Sequence, residues 1–231
     1  MPEDSSPADV AALVEIAAYN ARAQAQHDRP VLVPCTGRPQ PYAEAVCRLL
    51  GCSSLPAICE NGVWFYDFAA HRWEMNPAIT RGDREVIRDL ERWVEIELGP
   101  RGCYLQLGKS AAVTIFHVDV SYLEREIVPM LRDLIAGHAW PLRVSMTWTC
   151  INCDLAHVSK GSAIDQLIER YRLDPARLAG IGDTLGDLAI RERVAWFGCP
   201  ANAASELKPH ADMVATRALA EGVIDLLNTI G

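Results

Sequence analysis

The feature that most limits what this chain can fold into is a series of short, continuous apolar runs separated by helix-forming stretches and interrupted by a middle segment of different texture. "VLVPC" (31–35) and "PAIC" (56–59) are uniformly apolar, as strands buried on both faces are. A helix over about 40–50, ending at Gly51, separates them. Two strands joined in this way form a β-α-β unit, so they are expected to be parallel with a right-handed crossover. Ahead of them, residues 8–26 read as an amphipathic helix with Val10, Leu13, Val14 and Ala17 on one face. The alternation returns at Lys160: a helix at 160–172, the strand "RLAGIG" (177–182), a helix after Thr184, and the strand "VAWFGC" (194–199). A short helix at 203–208, the strand "ADMVA" (211–215) and a helix at 219–229 complete it.

The segment between reads differently. "VWFYDF" (63–68) is a half-exposed strand, and "REVIRDLERWVEIEL" (84–98) is a helix. "CYLQL" (103–107) and "AVTIFHV" (112–118) alternate like a hairpin around Gly108-Lys109. A helix at 122–135, bent at Pro129, precedes strands at 142–148 and 150–158. Such an order predicts a small antiparallel sheet with helices on one face. The expected architecture is therefore α/β: a doubly wound parallel sheet built from 1–62 and 158–231, with an inserted α+β domain at 63–157.

At 231 residues the chain is long enough to bury a sizeable core. Its net charge of −8 excludes a basic stripe for nucleic-acid phosphates. No apolar run approaches the ~20 residues of a membrane helix, and the acidic, polar start "MPEDSSPADV" is unlike a signal peptide. The expected setting is the cytoplasm, with the eight cysteines as reduced thiols that mostly fill the core. Cys150 and Cys153 with His157 fall short of the four ligands, usually in two pairs, of a structural zinc site. Their alternation fits a strand instead, and His117 and His157 read as structural or surface residues. Trp64, Trp73, Trp140 and Trp148, in or near the insert, are candidates for lining a sugar-binding face. Lysine is scarce, at 109, 160 and 208 only, so each lysine is a candidate for a special role.

Open parallel sheets bind ligands at the carboxyl ends of their strands. Thr36 follows the strand 31–35 in "CTGRP", Asp183 follows 177–182 with Asp187 in the next turn, and Lys160 opens a helix in "HVSKGSAI". Two carboxylates and a lysine suit phosphoryl transfer. Magnesium takes oxygen ligands and bridges to phosphate, and a lysine neutralises the transferring oxygens. A threonine hydroxyl and the N–H of the next residue can hold phosphate, with Gly37 permitting close backbone approach.

These segments resemble the haloacid dehalogenase superfamily, in its Cof-type branch of sugar-phosphate phosphatases with a C2B cap. "VLVPCTGRP" resembles the second motif, "VSKGSAI" the third and "IGDTLGDLAI" the fourth, in the family's order. "AICENGVWFYD" resembles the hinge into the cap, and "FGCPANAASELKPHADMVATRALAEGVIDLL" the closing region. The resemblance covers nearly the whole chain. It implies that 1–62 and 158–231 form a Rossmann-like core and 63–157 the cap. It implies that Thr36, aided by Gly37, binds phosphate, and that Lys160 stabilises nucleophile and phosphate. Asp183 would coordinate Mg2+ directly, and Asp187 would hold a metal ligand or metal-bound water. Arg38 and Asn61 are candidates for the substrate side of the pocket. Gly186 stands where the fourth motif commonly has asparagine, so a role for that side chain is lost. The implied substrate is a small phosphate ester, a sugar phosphate above all.

The family's first motif, two aspartates two residues apart after the first strand, has no match. Its first aspartate would attack phosphorus to form an aspartyl-phosphate, its second act as acid and base. Asp4 and Asp9 follow no apolar strand. Either residues upstream of Met1 carry the motif, or the chain is a member without the nucleophile. The sheet favours the first reading, because loss of a central strand opens a gap of ~10 Å with two unpaired edges. The alternative function is a catalytically dead module that binds a phosphorylated ligand. A phosphate-accepting receiver domain fails on motif order, since its acidic residues precede its threonine and lysine. Residues 1–231 as purified are expected not to turn over an aryl phosphate with magnesium; phosphate release by that polypeptide would contradict the expectation.

Overall fold

A computed structural model describes residues 7–231; Asp4 lies outside the described residues. The first helix, α1 (Val10–Gln26), is capped by Asp9, whose Oδ1 accepts from Ala12 N at 3.0 Å. Its buried stripe is Ala12, Ile16, Tyr19 and Ala23, while Val10 and Val14 are exposed. The face expected from Val10, Leu13, Val14 and Ala17 is thus displaced around the helix. Ile16 and Tyr19 carry more apolar surface than valine and alanine, and burying them decides which side faces inward. They pack against Ile224 and Leu227 of the last helix, α8 (Leu219–Ile230).

The parallel sheet of the core comprises β8 (Ala179–Ile181), β9 (Trp196–Cys199) and β10 (Met213–Val214), in the order β10-β9-β8. Helices α1 and α8 lean on Ile181 from one side. On the other, α6 (Lys160–Tyr171) and α7 (Leu188–Arg191) bring Ile164 and Ile190 onto Phe197 and Cys199. The core is therefore doubly wound. The expected helix at 203–208 is a turn followed by a single 3-10 turn, Lys208–His210, which Pro209 opens.

Segment 31–35 departs from the regular strand expected of it. After α2 (Gln40–Leu50) the chain enters β1 (Ala57–Cys59), and Cys35 pairs with Ile58 in a single parallel bridge. Ile58 N donates to Pro34 O and Thr36 N to Ile58 O, at 2.8 and 2.9 Å. Pro30 and Pro34 lack an N–H. The Leu32 N–H is taken by a side chain, Asn20 Oδ1 at 2.9 Å. The β-α-β unit is parallel as expected, but its first strand is held by one bridge and a buried asparagine.

β1 also pairs antiparallel with β2 (Trp64–Asp67), and β2 with β3 (Arg72–Met75), so 64–75 extends the core side. The insert's own sheet is four-stranded and antiparallel. Its order is β4 (Tyr104–Leu105), β5 (Ala112–Phe116), β7 (Cys150–Leu155) and β6 (Leu142–Met146). One face packs on α3 (Arg81–Trp93), on a π-helical turn Leu123–Ile127 that continues the short α4 (Val120–Tyr122), and on α5 (Val128–Gly137). The bend expected at Pro129 is this π-helical turn just before it. The other face carries Thr114, Arg143, Asn152 and Asp154, matched in register across β5, β7 and β6. Cys150 and Cys153 alternate along β7, with Cys153 in the packed face. The four tryptophans sit on separate elements: Trp64 and Trp140 pack on the cap core, while Trp73 on β3 and Trp148 between β6 and β7 are exposed.

Asn20 is fully buried and makes three backbone hydrogen bonds: Nδ2 to Leu50 O at 2.8 Å and Gly51 O at 3.1 Å, Oδ1 from Leu32 N. Replacing Asn20 by Ala strips a donor or acceptor from each. A buried polar group left bare costs about 1–3 kcal/mol, so Asn20→Ala is expected to lower unfolding free energy by about 3 kcal/mol, read from urea denaturation. A loss below about 1 kcal/mol would show that the bonds are replaced by water.

Candidate active site

Helix α6 begins in a reciprocal cap: Ser159 Oγ accepts from Ser162 N at 3.0 Å, and Ser162 Oγ accepts from Ser159 N at 2.9 Å. Lys160 is the first helical residue, where the helix dipole disfavours a cation. It is compensated by Asp187, whose Oδ1 accepts from Lys160 Nζ at 2.6 Å. Asp187 lies in the third position of a second cap. Its Oδ2 accepts from Asp183 N at 3.0 Å, Thr184 N at 3.0 Å and Thr184 Oγ1 at 3.1 Å. Both oxygens of Asp187 are thus engaged, and the residue is only 4% exposed. Gly182 makes this fold-back possible, since a Cβ there would collide with the Asp187 side chain.

The electrostatics separate the two aspartates. Burial would raise the pKa of Asp187, but the Lys160 charge and hydrogen bond, with the N–H groups of Thr184 and Asp183, outweigh it and hold the carboxyl below its usual range. Burial would lower Lys160, yet Asp187 outweighs that too and the ammonium is held above its ordinary value. Asp183 goes the other way. Burial, with the neighbouring Asp187 charge, pushes its pKa up, against a smaller pull from Lys160. Its backbone carbonyl accepts from Ala204 N at 2.9 Å, while its carboxylate accepts no side-chain hydrogen bond among the described residues.

The loop 36–38 follows Cys35, which packs with Ile164 of α6 against the same buried cluster of Ile58, Phe65, Ala163 and Leu167. Burial pushes the Cys35 thiol up to about 12, and it feels the charges of Lys160 and Asp187. Thr36 Oγ1 accepts from Arg38 N at 3.0 Å, which fixes the turn. The loop is laced to the 3-10 turn Glu60–Gly62 by Asn61 N to Thr36 O and Glu60 N to Arg38 O, at 3.0 and 2.9 Å. Asn61 lies against Gly37, where a Cβ would come 2.9 Å from Asn61 Oδ1. Asn61 Nδ2 also donates to Asp154 Oδ2 of the cap at 3.3 Å. The Arg38 guanidinium sits over the Tyr42 ring, 5.4 Å from its centroid.

The sequence-derived residues therefore fall into two neighbouring groups: Lys160, Asp183 and Asp187 at the carboxyl end of β8, and Thr36, Gly37, Arg38 and Asn61 at the core–cap junction. Three residues of that junction were not singled out as site residues in the sequence. Lys109 Nζ, at the β4–β5 hairpin, donates to Gly37 O at 2.5 Å. Glu60 accepts from Ser110 N at 2.8 Å and Ala111 N at 3.4 Å. Asp154, on β7, is 6% exposed. The one signal pointing to Lys109 was the scarcity of lysine. His117 and His157 hold loops: His117 accepts from Asp119 N at 2.9 Å, and His157 Nε2 lies 3.2 Å from Ala78 O.

A model of the haloacid dehalogenase-like hydrolase family matches residues 125–227. The phosphoglycolate phosphatase of Archaeoglobus fulgidus is 31% identical over 214 residues, covering 87% of this chain and 83% of that protein. That of Methanoculleus marisnigri is 23% identical over 194 residues, covering 84% and 79%. Among solved structures, a haloacid dehalogenase-like hydrolase from Bacteroides thetaiotaomicron superposes with a TM-score of 0.73 at 15% identity, covering 93% of this chain and 91% of that one. The sucrose-phosphatase of Synechocystis gives 0.66 at 14% identity, covering 99% and 94%. With its core, its cap and the order of its motifs in agreement, this chain belongs to the haloacid dehalogenase-like hydrolases.

Proposed function

We propose that the protein is a Mg2+-dependent phosphatase acting on a small phosphate monoester. The observation that carries the proposal is the contrast between the two aspartates: Asp187 saturated by Lys160 and three further donors, Asp183 half-buried beside it with a carboxylate that accepts no side-chain donor among the described residues. A half-buried carboxylate whose charged form is disfavoured first by desolvation and then by a neighbouring like charge suits a cation site. Magnesium is commonly bound through one or two carboxylates plus phosphate and water, so Asp183 fits as the direct ligand. Asp187, with no free oxygen facing away from its partners, fits an outer role of positioning Lys160. Magnesium, when bound, would offset charge on the phosphate oxygens.

The other residues have assignable tasks. Lys160 keeps its charge at neutral pH because Asp187 holds its proton, and it can donate to a phosphate oxygen. Thr36 and the N–H of Gly37 bind the phosphate, and Asn61 and Arg38 border its substrate side. The attacking carboxylate implied by the resemblance, and with it an aspartyl-phosphate route, has no counterpart assigned among the described residues. The insert, whose own sheet runs from β4 to β7, would cover the site and exclude water. The relatives' shared name, phosphoglycolate phosphatase, supports a phosphorylated acid as substrate beside the sugar phosphate expected from the resemblance.

The test is phosphate release from a panel of small esters, by residues 1–231 and by a form extended through the upstream codons of the gene. The extended form is expected to release phosphate only with magnesium, and Lys160→Met in it to lower kcat about 10²–10³-fold. Binding without turnover by either form would favour the non-catalytic module, and neither binding nor turnover would sink both readings.

A second measurement concerns stability in metal-free buffer. A carboxyl held below its unfolded pKa contributes stability that is present above that pKa and lost as pH falls through the folded value; Asp187 is of this kind. Asp183, raised, does the reverse: its charged form costs stability at neutral pH, and protonation relieves that cost. Asp187→Asn is therefore expected to lower unfolding free energy at pH 7 by about 3–5 kcal/mol, as removal of one partner of a buried pair does. Asp183→Asn is expected to raise it by about 1 kcal/mol. Equal destabilisation by both would contradict the assignment.

A further inference from the structure

The cap supplies a cation to the phosphate-side loop for which hydrolysis itself has no use. Lys109 reaches from the β4–β5 hairpin and makes its one hydrogen bond among the described residues to the Gly37 carbonyl. An ammonium has three donors, so two are left over. The two carboxylates that attract it make their hydrogen bonds with other groups. Glu60 is bound by the N–H groups of Ser110 and Ala111 and by the Ser110 hydroxyl. Asp154 Oδ2 is bound by Asn61 and lies 3.6 Å from Arg143 Nη2, while its buried Oδ1 has no partner. Neither forms an ion pair with Lys109. Three cations, Lys109, Arg38 and Arg143, thus meet two carboxylates, Glu60 and Asp154, which leaves one positive charge in excess. Burial lowers the pKa of Lys109, with Arg38 adding to it, against the pull of Asp154 and Glu60. Both carboxylates attract it, yet among the described residues none stands within ion-pair distance of its Nζ.

The location limits what the counterion can be. Gly37 follows Thr36, and neighbouring Cα atoms are about 3.8 Å apart. A phosphate held at Thr36 and an anion held by Lys109 near Gly37 must therefore be joined by a short linker. We propose that Lys109 reads a second anionic group on the substrate, a carboxylate one or two carbons from the ester oxygen, and so selects short phosphorylated acids over esters with neutral tails. This rests on the phosphate site proposed above and adds the substrate class and the residue that reads it. Lys109 acts in specificity and takes no part in bond breaking.

Binding to residues 1–231 in the presence of magnesium, measured by titration calorimetry, tests this without requiring turnover. The probes are inorganic phosphate, 2-phosphoglycolate and ethyl phosphate, the last two matched in length. Wild type is expected to prefer 2-phosphoglycolate by about tenfold or more, the worth of one charged hydrogen bond. Lys109→Met should bring that ratio to about one, and Lys109→Arg should retain most of it. A wild type that binds both esters alike, which is informative even if Lys109→Met does not fold, would overturn the inference alone. So would a preference that survives in Lys109→Met. If none of the three probes binds, the phosphate site itself falls, and the inference with it.

Discussion

The buried pair Lys160–Asp187 is the interaction on which the site depends. Each member is placed where it would be unstable alone. Lys160 stands at the positive end of α6, and Asp187 is 4% exposed. Isolated buried charges of either sign cost several kcal/mol. Together, at 2.6 Å, each offsets the burial of the other. The same contact ties the third motif to the fourth across 27 residues and brings α6 against the turn that leaves β8. It also frees Asp183: once Asp187 has taken the turn's N–H groups, Asp183 keeps an open carboxylate. The phosphate site proposed above needs both fixed positive charge and unspent negative charge, and this division sets them side by side.

The second group, around Thr36, is positioned less by sheet than by side chains. Segment 31–35 is held by one bridge to β1 and by the Asn20 side-chain carbonyl, which accepts from Leu32 N. Because Asn20 also holds the carbonyls of Leu50 and Gly51, the segment before Thr36 and the end of α2 behind it are referred to the same point on α1. The position of the phosphate-side loop is thus set by a residue in a helix that touches none of the site.

What was legible in the sequence was what is local. Apolar runs located β1, β8 and β9, and the carboxyl end of β8 located Asp183 and Asp187, because backbone direction alone carries a side chain to that end of a parallel sheet; Lys160 was marked instead by its place at the start of α6. The face of α1 was misjudged because Val10 and Val14 match the helical period as well as Ile16 does, and only packing against α8 decides between them. The broken strand at 31–35 was hidden because uniform apolarity reports burial and not hydrogen bonding. The tryptophans were scattered for a similar reason: their number says nothing of which element each one serves. Lys109 on Gly37, 72 residues apart, belongs to tertiary structure alone, and its motif, a glycine-lysine turn, is common.

The turn at 60–62 explains how so distant a contact is made reproducible. Glu60 and Asn61 both have positive φ, 49° and 55°, where asparagine is tolerated and glutamate costs about 1–2 kcal/mol. The cost is met where the Glu60 carboxylate accepts the N–H groups of Ser110 and Ala111, a charged acceptor on two backbone donors. Those donors directly follow Lys109. The residue that sets the bend between core and cap therefore also fixes the base of the hairpin that brings Lys109 to Gly37, and Trp64 Nε1 on the Ser110 hydroxyl at 3.0 Å secures the same point from β2. Asn61, one residue on, carries the reciprocal contact to Asp154 on β7. The core-side sheet and the insert's sheet are thus joined by residues adjacent to the loop 36–38, and the same turn fixes where Lys109 meets Gly37. On the proposed reading of Lys109, the contacts that hold this hairpin in place lie beside the residue that would meet the far end of a short substrate, so its placement depends on the turn rather than on the hairpin alone.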